Sequence, residues 1–340
     1  MTCCKKVFSN HIPREQLKEI LSVARGEKPA NLLLKDINVL DLVNGGTSVT
    51  NVAICGEYIA GIGSDYDEAK EVVQLKGLSA VPGFIDSHLH IESSMMNPFQ
   101  FEKTTLPLGT TTAICDPHEI TNVLGEEGFA WFLRASHLMQ QNLFVQVSSC
   151  VPALKGFETN GAEFTLDEME KVIDHPHVLG LSEMMNFPGV TLGVDEVLDK
   201  LEAFEGMPLD GHAPLAQGKS LNAYLAAGID NGHETVGLEE AQEKLMKGMS
   251  IAIREGTVAK NLDSLAPVIN EMNSMQCMLC TDDRNPYEIA NQGHINFLVK
   301  KLIKEHNIKP HLAYRIASFS AAKHFGLKRL GLIAPGYKAD

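Results

Sequence analysis

His88 and His90 stand one residue apart, with Glu92 two positions further on. On a β-strand, side chains two apart share a face, so the imidazoles would project together, about 6.6 Å apart along the chain and near enough to ligate one ion. Glu183, His212, His233 and Asp282 each close a short apolar run later in the chain, as does Asp116 with Pro117, His118 and Glu119 behind it. Four histidines (His88, His90, His212, His233) and two carboxylates (Glu183, Asp282) can hold two divalent ions, one carboxylate bridging. Such a pair suits hydrolysis, because a bound ion lowers the pKa of water from 15.7 to about 7 and a carboxylate beside it can move protons. Singly, each residue has a plainer role as a half-buried histidine or a capping acid. Recurrence at the same end of successive runs carries the metal reading.

The elements that must position these side chains can be counted. From residue 79 onward the chain alternates apolar runs with longer amphipathic segments, the pattern of strands and crossover helices around a parallel sheet. Eight runs qualify: 79–86, 110–116, 143–149, 178–184, 208–212, 228–233, 250–256 and 276–282. Eight strand-then-helix units make an α/β chain of (β/α)8 TIM barrel type, whose C-terminal strand ends converge on one mouth. The fifth and sixth runs carry Gly and Asp and are weak on propensity alone. Before the barrel (79–328) lie a helical segment, 1–30, with one helix at 14–24, and short strands at 31–78 that form a small β-sandwich-like domain.

The strings PGFIDSHLHIESSMM (82–96), CDPHEI (115–120), GLSEMMNFPGV (180–190), DGHAP (210–214) and CTDDRNP (280–286) resemble the motifs of the amidohydrolase superfamily of metal-dependent hydrolases, over nearly the whole chain. Glu183, where many relatives carry a carboxylated lysine, narrows the resemblance to the branch that deaminates adenine. The resemblance implies that His88, His90 and Asp282 hold one metal, that His212 and His233 hold the second, and that Glu183 bridges. It also implies hydrolytic deamination of adenine to hypoxanthine and ammonia, with Asp282 as base and then acid, in purine salvage or catabolism. Manganese or iron is the implied metal, and the ligand set also suits zinc. Asp283 should face away from Asp282 on a regular strand. Glu119 or His118 is expected to contact the purine ring, Glu119 as a catalytic residue and His118 in substrate binding. Glu92, Ser94 and the pair Arg254-Glu255 are further candidates for lining the pocket.

Two groupings are set aside. His175-Pro176-His177 repeats the H-x-H spacing but precedes its run, at the end of a barrel where residues serve stability. His90-Ile91-Glu92 and Cys277-Met278-Leu279-Cys280 imitate the H-x-E and P-C-x-x-C of zinc deaminases of another fold. They lie about 185 residues apart and no proline precedes Cys277, so these cysteines read as core. His294, in NQGHINFL, is the other histidine worth locating.

Composition agrees with an enzyme acting on a small molecule. The 340 residues are 44% hydrophobic and 21% charged, and the net charge of -14 without a basic cluster argues against a nucleic-acid partner. No apolar run is long enough for a membrane span and no apolar signal region opens the chain, which predicts a cytoplasmic protein. Seven cysteines without a disulfide framework agree with a reducing compartment. Homo-oligomerisation is left open. The turn at 331–340 resembles the family's return to the small β-domain, so a chain stopping at Asp340 is expected to be truncated, its β-piece incomplete with an apolar edge exposed. Another amidohydrolase reaction, or a silent fragment, is the alternative.

Overall fold

The computed structural model describes residues 12–340. Helix Arg14–Ala24 buries Ile20 and Val23 against a small sheet. That sheet comprises β1 (Ala30–Leu40), β2 (Thr47–Cys55), β3 (Tyr58–Ile62), β4 (Ala69–Gln74) and β5 (Ser79–Ala80). Its strand order is β3-β2-β1-β4, with β5 also paired to β1. Residues 337–339 return to this sheet: Tyr58 pairs with Lys338, Ile59 donates to the Tyr337 carbonyl at 2.8 Å, and Ala339 donates to Glu57 at 2.9 Å. The expected bare apolar edge is therefore corrected on the β3 side, which is covered; the opposite margin, β4, presents Lys70, Glu71 and the exposed Val72.

Eight parallel strands follow: β6 (Phe84–Leu89), β7 (Thr110–Cys115), β8 (Asn142–Val147), β9 (Val178–Met184), β10 (Leu209–Gly211), β11 (Asn231–Gly232), β12 (Ser250–Arg254) and β13 (Cys277–Cys280). They form two arcs, β6 to β10 and β11 to β13. The arcs meet where Leu89 bridges Asp282 and where the Asn231 amide donates to the Asp210 carboxylate at 2.7 Å. All eight runs read from the sequence are strands. The two weak ones shrink to three and two residues. Their glycines answer to packing, since a Cβ on Gly211 would sit 2.4 Å from the Asn231 carbonyl oxygen.

Apolar side chains on the outer face of β7, β8 and β9 pack under helices, as Ala113, Val145 and Leu181 do beneath Phe129 and Phe132. Inside the barrel, Ile85, Ile114, Phe144, Leu179, Ala252 and Met278 meet Phe325 and Leu327, which close the end opposite the mouth. Among the described residues no helix is long and apolar enough to cross a membrane.

Candidate metal centre

The mouth gathers side chains from six strands around Glu183 at the end of β9. His88 Nε2 and His90 Nε2 are 3.2 Å apart. Glu183 Oε1 lies 3.8 Å from the first and 3.4 Å from the second, and Asp282 Oδ1 lies 3.9 and 3.2 Å away. Ligands about 2.1 Å from a common ion in a tetrahedral array are about 3.4 Å apart, so this nest has the dimensions of a site. The other oxygen of the same carboxylate serves a second nest, with Glu183 Oε2 2.5 Å from His212 Nδ1 and 3.4 Å from His233 Nε2. Two of the histidines are oriented from behind. His90 Nδ1 faces the Asp116 carbonyl at 2.9 Å, and donating there fixes the tautomer that presents a bare Nε2 to the nest. His212 is held through its backbone, whose N–H donates to the buried Tyr224 hydroxyl at 3.0 Å.

The backbone explains why Asp282 reaches the first nest. Its φ is 51°, a left-handed conformation that turns the chain off the regular strand. Its N–H donates to the His88 carbonyl at 3.0 Å while its own carbonyl accepts from His90 N at 3.4 Å. The contacts that close the barrel thus also seat three candidate ligands. Asp283 is corrected by the same observation: with no regular strand beyond β13, both aspartates line the cavity, and Asp283 comes within ligand distance of His90 and Asp282.

Electrostatics at the mouth favour ionised carboxylates. Burial pushes Glu183 toward its neutral form, but His212, His233 and His90 outweigh it and hold the group well below the usual carboxylate range. Asp282 is likewise lowered against burial, by His90, His233 and His88. Its other oxygen accepts from Arg254 Nη1 at 2.7 Å, and Arg254 also grips Glu234. For His118, burial opposes the charge, yet Asp116 at 2.8 Å raises it to about 12. Glu92, walled off beside Glu119, is pushed up to about 8, first by burial and then by that neighbour.

A cavity of about 260 Å³ opens over His90, Glu183, His212, His233 and Asp282, with Glu119, Met185, Val258 and Ala259 on its walls. The family model described as "Amidohydrolase family" matches residues 79–340, the whole barrel and the candidate centre. The chain belongs to the amidohydrolase family. Among curated relatives of this amidohydrolase, an adenine deaminase of Bdellovibrio bacteriovorus is 61% identical over 99% of this chain, and one of Edwardsiella ictaluri is 60% identical over 97%. The chain spans 57% and 56% of their lengths. Of the solved structures, an adenine deaminase superposes with a TM-score of 0.68 at 18% identity, covering 92% of this chain and 89% of its own. An enamidase gives 0.64 at 16% identity, covering 91% and 86%. At such identities the structural likeness speaks for the fold.

The amidohydrolase mouth brings His88, His90, Glu183, His212, His233 and Asp282 together, with Glu119 on the cavity wall and His118 Nδ1 3.5 Å from Glu183, itself within ligand distance of that carboxylate and of His90. Glu92 lies behind the wall, accepting from Ile120 N at 3.2 Å. Ser94 is turned away, its hydroxyl donating to the Ile91 carbonyl at 2.5 Å, and Ser93 instead faces the Glu119 and Asp283 carboxylates. Of the pair after β12, Arg254 lines the cavity, while Glu255 is buried against Lys301 at 2.9 Å.

Sequence reading missed Glu234. It reaches the cavity beside His233 because β11 has already ended, and the Gly and Asp that weaken that run as a strand were the available signal. His294 is fully buried below the mouth, contacting Thr110 Oγ1 at 2.9 Å and Asp86 at 3.2 Å. His175 and His177 cluster with His137 away from the mouth, and Cys277 and Cys280 are free and buried.

Proposed function

We propose that this chain carries the catalytic barrel of an adenine deaminase, which replaces the 6-amino group of adenine with oxygen to give hypoxanthine and ammonia. The supporting observation is the division of Glu183, one oxygen to each of two ligand nests at the mouth of the cavity. In this reading, which follows the family resemblance, His88, His90 and Asp282 would hold one ion and His212 and His233 the other, with Glu183 shared. Two divalent ions bound there would supply a nucleophile by lowering the pKa of water from 15.7 to about 7. Manganese or iron is favoured and zinc is compatible with the ligand types.

Asp282, its outer oxygen fixed by Arg254, takes the proton of the attacking water and later passes it to the departing amine. Glu119 stands on the cavity wall with Oε2 buried and without a hydrogen bond, placed, when protonated, to give a proton to a ring nitrogen and to regain one from the second O–H of the added water as the carbonyl forms. His118 and the face formed by Val258 and Ala259 hold the planar base. The described cysteines are free and buried, which suits a cytoplasmic enzyme of purine salvage.

Metal-loaded protein offered adenine, guanine, cytosine and dihydroorotate separately tests the reading, with ammonia release and ring opening as readouts. Turnover of adenine alone is expected. Preference for another base, ring opening, or a metal-loaded chain inert to all four would contradict it.

A further inference from the structure

His212 and His233 follow strands of three and two residues, too short for a ladder to fix what comes after them. The loops are held by other means. Glu240 and Lys244, one turn apart on helix Leu238–Met246, are only 3% and 1% exposed, an unusual depth for two charges. Glu240 Oε1 accepts from Leu215 N at 2.9 Å and from Lys244 Nζ at 2.6 Å, and its Oε2 accepts from Val236 N at 3.1 Å. Lys244 Nζ also donates to the Ala213 carbonyl at 2.8 Å and to Thr235 Oγ1 at 3.1 Å. Ala213 and Leu215 directly follow His212, and Thr235 and Val236 directly follow His233 and Glu234. One ion pair therefore ties both loops to one helix. A buried pair is weak evidence for stability, since apolar side chains of similar volume often serve as well. Apolar side chains could not, however, hydrogen-bond two loops at once.

We propose that Glu240 and Lys244 are positioning residues that hold His212 and His233 at the separation needed by the second ion. Breaking the pair then weakens that half of the centre and bears far less on the half built on His88 and His90, on which His233 stacks with ring centroids 3.8 Å apart but which is secured by the Asp282 backbone. The proposal rests on the two-ion reading above. The same helix supplies a more exposed control: Glu243 and Lys247 are also four apart and bonded at 2.6 Å, and they reach only Gly218, where the next helix begins, six residues beyond His212.

The test is titration of metal-free wild type, Lys244→Met, Glu240→Gln, Lys244→Arg and Lys247→Met with Mn²⁺, following bound metal and the electron spin resonance of the coupled pair. Wild type and Lys247→Met should bind two ions and show the coupled spectrum. Lys244→Met and Glu240→Gln should keep the first affinity and lose 10- to 100-fold in the second, as second-shell changes do, giving an isolated-ion spectrum at one equivalent. Lys244→Arg should restore part of the loss. If Lys244→Met does not fold, Glu240→Gln and Lys244→Arg decide. Equal weakening of both ions, or no weakening where wild type holds two, overturns the proposal; wild type binding fewer than two ions overturns the two-ion reading and this inference with it.

Discussion

At the scale of single residues the centre turns on Asp282, held by the barrel's own closing hydrogen bonds in a left-handed backbone at φ 51°. Asp and Asn tolerate that conformation better than most residues. Asp282→Asn should therefore keep the fold while cutting turnover by about 10²- to 10⁴-fold, the usual worth of a positioned acid–base group; an unchanged thermal midpoint with near-normal kcat would remove Asp282 from the chemistry. Glu119→Gln should retain its metal content and lose about 10²-fold in kcat, and full turnover would reduce Glu119 to a wall residue. The candidate ligands were legible in the sequence because H-x-H spacing and strand-terminal acids leave a one-dimensional trace. Asp283 and Glu234 were not, since both depend on where a strand stops, and alternation rules presume that it continues.

At the scale of elements, β10 and β11 show tertiary packing overriding propensity. Gly211 is required by the approach of Asn231, not tolerated as a defect, and Tyr224 spans from the Met184 carbonyl at 2.8 Å to the His212 amide. Gly211→Ala should cost about 1–3 kcal/mol, as overpacking does, and weaken binding of the ion assigned to His212 and His233; equilibrium unfolding and a metal titration check both. The number and order of barrel strands could be read from apolar runs and helix-period segments. Strand lengths could not, because a two-residue strand such as β11 carries no period. The return of residues 337–339 to the small sheet was read through the family resemblance alone; its docking on β3 is a contact across most of the chain that no local pattern carries.

At the scale of the whole molecule, the two ends of the barrel do different work. The mouth concentrates charge, while the far end is sealed by Phe325 and Leu327 against Ile85, Ile114 and Phe144, so Phe325→Ala should cost about 3–5 kcal/mol. Away from the mouth, His175 and His177 are held below the ordinary histidine range, each by burial first and then by His137. Groups depressed in this way stay neutral in the fold and take up protons on unfolding, so the stability they contribute is present above about pH 6.5 and is lost as pH falls through their folded values. The urea midpoint should accordingly drop between pH 7.5 and 5.5, and drop less in a His175→Asn, His177→Asn double variant; an equal drop would assign the effect elsewhere. The central claim, that two ions joined through Glu183 convert adenine, is tested most directly by titrating metal-free protein with Mn²⁺ while measuring ammonia released from adenine against ions bound. Activity that climbs with the second ion and levels off at about two per chain is the predicted result. Activity that is absent at two ions, or complete without them, would contradict it.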